Sequence, residues 1–284
     1  MTTLMLRSSR TRAWVVLTGL AILAVSALTG LVIFIWSALA GTGPATVGND
    51  HPGPLPSLTA TATATTSGAA VRGPGPNLAA LDAAKDALAA KPMLDVPPDA
   101  AHPQPLVTST AGPAMILPTA TDPAASPASG YPRTPEGAVA QLGAIDTLAF
   151  SNLSPVNARR AYDWAALPGA VPFEQWTPQV GVAAILSAAG KPQGALGLTS
   201  TWTLTHGQVK GVLDDGDFVV ACVLGEFDAT YRSSVRAGVG DCQRMAWQGG
   251  RWRIAPGAQP AFAPSTWPGS ADCARAGWRQ VRSA

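Results

Sequence analysis

Between residues 41 and 130 there is not one Phe, Trp, Tyr or Cys. Those side chains do much of the work of repaying chain entropy, so their absence reads as a disordered spacer. The same stretch holds 15 of the 26 prolines, and residues 59–66 (TATATATT) favour extended conformations. One segment breaks the pattern. Residues 77–91 (NLAALDAAKDALAAK) begin with a cap-like Asn77 and place Leu78, Leu81 and Leu88 broadly on one side, a candidate short helix able to dock on a partner.

Charge is also scarce. Only 13% of the residues are Asp, Glu, Lys or Arg, and the net charge is +2. From Tyr131 onward 13 basic residues face 11 acidic ones. A nucleic-acid surface needs a stronger imbalance, so no nucleic-acid partner is expected. Residues 13–40 (AWVVLTGLAILAVSALTGLVIFIWSALA) contain no charge at all. That run exceeds the roughly 20 residues a helix needs to cross a bilayer, and lipid forces such a backbone to be helical. Arg7, Arg10 and Arg12 precede it, whereas the next basic residue is Arg72. The asymmetry predicts a cytoplasmic N-terminus of residues 1–12, a single transmembrane helix in contact with membrane lipid, and an extracytoplasmic remainder at the cell membrane. A cleaved signal peptide ending at Ala38-Leu39-Ala40 is the alternative; the length of the apolar run favours retention.

Sequence signatures of chemistry are missing as well. There is no phosphate-binding loop, and GVGDC at residues 238–242 is too short for a dinucleotide fingerprint. Ser233 and Ser234 lack a nucleophile-elbow setting. Asp214, Asp215 and Asp217 lack the remaining ligands of a calcium loop and suit a plain turn. Neither a cofactor nor a metal is expected, and no catalytic residue is assigned.

What is present begins at Tyr131. Thr134-Pro135-Glu136 supplies an N-cap, a first-turn proline and an acid, opening a helix whose stripe is Ala138, Leu142, Ile145 and Ala149. Asp146 falls beside that stripe and reads as a solvated acid. A second helix follows Ser154-Pro155, and a third covers roughly residues 173–189, with Pro178 disturbing its start. Beyond Leu198 the spacing changes to β-type residues over 199–213, 218–231, 239–247 and 251–255, with hairpin turn chemistry between neighbours. The class is α+β: three helices packed on a curved antiparallel sheet over residues 131–258, with 259–284 a tail docked on the domain and a short helix from about Ser270.

This order of elements resembles the nuclear-transport-factor-2-like cone fold. RTPEGAVA at 133–140, GRWRIAPG at 250–257, and APSTWPGS through AGWR at 263–279 resemble membrane-anchored proteins of actinobacterial integrative and conjugative elements. The layout is also similar to the scaffold subunits of conjugative type IV secretion systems. The resemblance implies a conjugation context; together with the anchor, the reach of the spacer and the lack of a catalytic constellation, it leads to the expectation of a non-enzymatic envelope protein, an accessory or scaffold component of a conjugation or secretion apparatus, with protein partners in the envelope and self-association as one option. The alternative is an exported ligand-binding or isomerase-like domain, in which Trp202, His206 and Trp247 line a pocket with Asp163 or Tyr162 nearby. Arg244, Arg251 and Arg253 around Trp252 read as a solvated outer face. Of the three cysteines, Cys242 and Cys273 are the favoured disulfide, stapling the tail to the sheet. Pairing of Cys222 with Cys242 depends on a register that the sequence does not fix, and unpaired buried thiols remain an equal alternative.

Overall fold

The computed structural model describes residues 78–284. The transmembrane helix expected at residues 13–40, with the expected cytoplasmic residues 1–12 and the first part of the expected spacer, lies outside the described residues. Among the described residues no helix is long and apolar enough to cross a membrane.

The chain forms an α+β fold around a curled six-stranded sheet. In chain order the elements are α1 (Leu78–Ala90), β1 (Met115–Leu117), α2 (Pro135–Ala149), α3 (Pro155–Ala165), α4 (Thr177–Ala188), β2 (Thr199–Leu213), β3 (Phe218–Tyr231), β4 (Ser233–Gln248), β5 (Arg251–Ile254), α5 (Ala271–Arg275) and β6 (Arg279–Ser283). The strand order is β1-β6-β2-β3-β4-β5. β1 runs parallel to β6 while the other pairings are antiparallel. The sheet is therefore mixed rather than purely antiparallel, and the tail is no appendage: it contributes β6 to the sheet.

Helix entry follows the local chemistry. Thr134 Oγ1 accepts from the Gly137 N–H at 3.0 Å, and Ser154 Oγ accepts from the Asn157 N–H at 3.3 Å. Each satisfies a backbone donor that the first helical turn leaves without a partner. The expected third helix divides where Pro178 forbids continuity, into a 3-10 turn at Phe173–Gln175 and then α4.

β3 explains the layering. Alternating strands have one face in the core, but Phe218 through Leu224 are all buried. A strand covered on both faces loses its polar alternation. Val219, Ala221 and Val223 pack with Leu142, Ile145 and Ala149 of α2 on the inner face. Phe218 and Val220 point the other way, toward Leu88 and Ala89 of α1. Cys222 and Leu224 meet Met93, Val96, Cys273 and Trp278.

The expectation of a disordered spacer over residues 41–130 is corrected for residues 78–130. The candidate helix of residues 77–91 forms and docks on its own chain. Lys210 Nζ donates to the Ala89 carbonyl at 3.0 Å, and Arg244 pairs with Asp86 at 2.6 Å. The Trp267 N–H donates to Ala100 O at 2.6 Å, and the Val107 N–H to Gly269 O at 2.9 Å, so this strap is tied to the C-terminal tail. A segment without aromatics can order when another element presents an apolar face, because its aliphatic and methionine side chains then have something to bury against.

Candidate functional site

α2 crosses the inner face and carries Asp146 into the core. Its carboxylate is fully buried, and neither oxygen has a hydrogen-bond partner. This corrects the expectation of a solvated acid; a position beside the helix stripe becomes interior when the sheet curls around the helix. Asp241 of β4 pairs across the strands with Val223, which fixes it on the same inner face. Its carboxylate is also buried, and Gln243 Nε2 donates to both oxygens at 3.0 and 2.8 Å.

Two carboxylates thus face one interior, and among the described residues no cation pairs with either. Burial raises the Asp146 pKa well above the ordinary aspartate range, and the Asp241 charge raises it further. Burial pushes Asp241 up to about 7 against the lowering effect of the hydrogen bonds from Gln243 and the Cys242 backbone. Like charges in one low-dielectric site cannot both ionise cheaply, so the pair retains a proton near neutrality. A carboxyl group titrating there is suited to general acid–base chemistry. The surrounding space is filled with side chains. Phe150 stacks on Trp202 at 6.4 Å and meets Phe227 edge-on at 6.1 Å.

Trp202, His206 and Trp247 do not form one pocket. Trp202 is buried in the core, its Nε1 donating to Val239 O at 3.3 Å. It lies so close over Gly225 that a Cβ there would stand 2.1 Å from Cε2 of the ring. A bulge between Leu204 and His206 turns His206 to the outer face, where it pairs with Leu224. His206 Nδ1 lies 3.1 Å from Thr205 Oγ1, and burial lowers its pKa. Trp247 returns to the inner side at the far end of the sheet, edge-on to Trp252 at 5.5 Å. Tyr162 donates to Val171 O at 2.6 Å, and Asp163 is an exposed partner of Arg159, so neither approaches His206 as a catalytic companion.

The arginines also separate. Arg253 donates to Ala166 O at 3.0 Å, Arg251 lies over the Trp164 ring at 4.4 Å, and Arg244 is on the other face with Asp86. One open groove of about 460 Å³ is bordered by Lys85, Pro168, Asp214, Asp217, Trp247 and Gln248, and contains neither interior acid.

The disulfide joins Cys222 and Cys242, leaving Cys273 as a buried thiol. This corrects the preference for Cys242–Cys273. The hairpin keeps a single register from Tyr231↔Ser233 to Phe218↔Ala246, and that register sets the two cysteines directly opposite, with Cα atoms 4.1 Å apart. β4 begins at Ser233, six residues before the expected start. Its opening residues, SSVRAG, are too polar to announce a strand, so the one-residue turn at Arg232 was not legible. No cluster of three or more His, Cys, Asp or Glu side chains suited to a metal occurs among the described residues.

No family model, curated protein or solved structure matches this chain.

Proposed function

We propose that this protein is a non-enzymatic envelope component, an accessory or scaffold subunit of a conjugation or secretion apparatus, anchored by residues 13–40 and presenting a cone-fold domain to extracytoplasmic protein partners. The observation that carries this reading is the filled interior. Phe150, Trp202 and Phe227 pack against one another on the inner face of the sheet, and the flanking strap and tail cover the opposite face. The rigid domain then offers surface rather than cavity. The apolar, charge-free run of residues 13–40 supports the anchor, and the near balance of charge after Tyr131 supports protein rather than nucleic-acid partners.

Photo-crosslinking probes placed on exposed positions of residues 131–284 in intact cells test this reading. Capture of transfer-apparatus subunits is the expected result; capture of nothing beyond the protein itself overturns it. A second reading, an exported isomerase-like or ligand-binding domain, has one observation in its favour: the buried Asp146–Asp241 pair. It requires a small molecule to reach that pair. A ligand screen in which Asp146→Asn and Asp241→Asn abolish binding without unfolding the chain would establish it.

A further inference from the structure

The outer face gathers soft donors at one point. Met93, on the strap between α1 and the 3-10 turn at Pro98–Ala101, sets its Sδ 3.8 Å from Cys222 Sγ and 3.4 Å from Cys242 Sγ. Both cysteines are buried, whereas Met93 is only partly buried. The apolar side chains of Leu224, Ala276, Trp278 and Val96 pack in the same cluster. We propose that the dithiol form of the protein binds one Cu(I) ion on Cys222 Sγ, Cys242 Sγ and Met93 Sδ.

Three sulfurs each about 2.3 Å from one ion in a trigonal plane stand about 4 Å from one another. The two methionine–cysteine separations are already near that spacing. Breaking the S–S bond frees the cysteine sulfurs to part, while the β3–β4 ladder keeps their backbones opposed. The donor set chooses the ion. Two thiolates with a thioether form a soft, low-coordinate site that suits Cu(I), whereas zinc is usually held by four nitrogen or thiolate ligands. Cys273 belongs to the same cluster, but the two sulfur contacts of Met93 go to Cys222 and Cys242, which sets these three sulfurs apart.

The chemistry balances in two steps. A dithiol reductant gives two electrons and two protons to the Cys222–Cys242 disulfide and becomes a disulfide itself. Each cysteine thiol then releases one proton as its sulfur bonds the ion, leaving a two-thiolate Cu(I) complex of net charge −1. The disulfide closes the site and reduction opens it.

The test uses the full chain, reduced anaerobically with a phosphine that ends as its oxide, and titrated with Cu(I) against a chromophoric chelator. One equivalent is expected to transfer to the reduced chain and none to the oxidised chain. Met93→Leu, which conserves volume, is expected to weaken binding about tenfold or more while the disulfide and the far-ultraviolet dichroism stay unchanged. Cys273→Ser is expected to leave binding as it is. The proposal is overturned if the reduced chain takes up no copper or loses its fold. It is equally overturned if Met93→Leu binds as tightly as the parent, or if Cys273→Ser abolishes uptake.

Discussion

The two faces of the sheet are held by opposite kinds of chemistry. The inner face buries a pair of titratable carboxylates, one of them without a hydrogen-bond partner, inside an aromatic and aliphatic core. The outer face carries a covalent link between neighbouring strands and is covered by segments from both flanks of the domain. Stability on the inner side is conditional on protons. On the outer side it is conditional on redox state and on the strap remaining seated.

The largest expected effect comes from breaking the outer side. The Cys222–Cys242 link spans a sequence separation of 20, and removing a constraint of that size from the unfolded chain costs about 3 kcal/mol. Cys222→Ala combined with Cys242→Ala is therefore expected to lower the midpoint of denaturant unfolding by that equivalent, and addition of reductant to the parent should reproduce most of the loss. An unchanged midpoint would mean that backbone pairing alone holds β3 to β4.

The inner side is read by pH. Asp146 and Asp241 have raised pKa values in the folded chain, so near neutrality the folded state binds more protons than the unfolded state. Stability must then be highest below the ordinary aspartate pKa and fall as pH rises from about 4 toward about 7, at up to about 1.4 kcal/mol per pH unit for each proton involved. His206 acts in the opposite sense. Its pKa is lowered, so protonation below about pH 6.5 favours the unfolded chain and opposes the carboxylate effect. Asp146→Asn, which leaves a neutral side chain of similar shape, is expected to remove much of the fall and to make the protein more stable than the parent at pH 8. Urea unfolding across that range decides the matter; a parent whose stability increases from pH 5 to pH 8 contradicts the shared-proton interior.

The difference between the faces also shows what a sequence can reveal. Short-range chemistry was legible: Thr134-Pro135, Ser154-Pro155 and Ser270 mark three helix starts, and β2 and β3 occupy their expected bounds. Facing was not. A bulge at Leu204/His206 moved His206 away from Trp202 and Trp247, and bulges are register events with no strong residue signature here. Asp146 looked solvated because helix spacing gives a residue's angle around the helix, not how far the sheet curls around it. By composition alone the strap reads as spacer. The unbroken apolar run FVVACVL in β3 already called for a cover on both faces, and that demand was the available clue.

A smaller effect sharpens the comparison by asking whether the two layers unfold together. Thr134 caps α2 on the inner side, and Ser270 caps α5 on the outer side, its Oγ accepting from the Cys273 N–H at 3.2 Å. Substituting either by Ala costs about 1 kcal/mol where the cap is intact. If the sheet couples the layers into one cooperative unit, Thr134→Ala and Ser270→Ala should lower global stability alike. If the outer layer opens separately, Ser270→Ala should instead speed amide exchange across residues 264–284 and the strap that hydrogen-bonds to them, while β3 and α2 keep the parent's protection. Gly238 favours the coupled outcome. A Cβ there would lie 1.8 Å from Thr266 O, so the tail rests directly on the β4 backbone, and parting them exposes Trp267 and Trp278. Burial of two indoles sets a cost for separate opening of several kcal/mol, which a lost cap of about 1 kcal/mol should not erase.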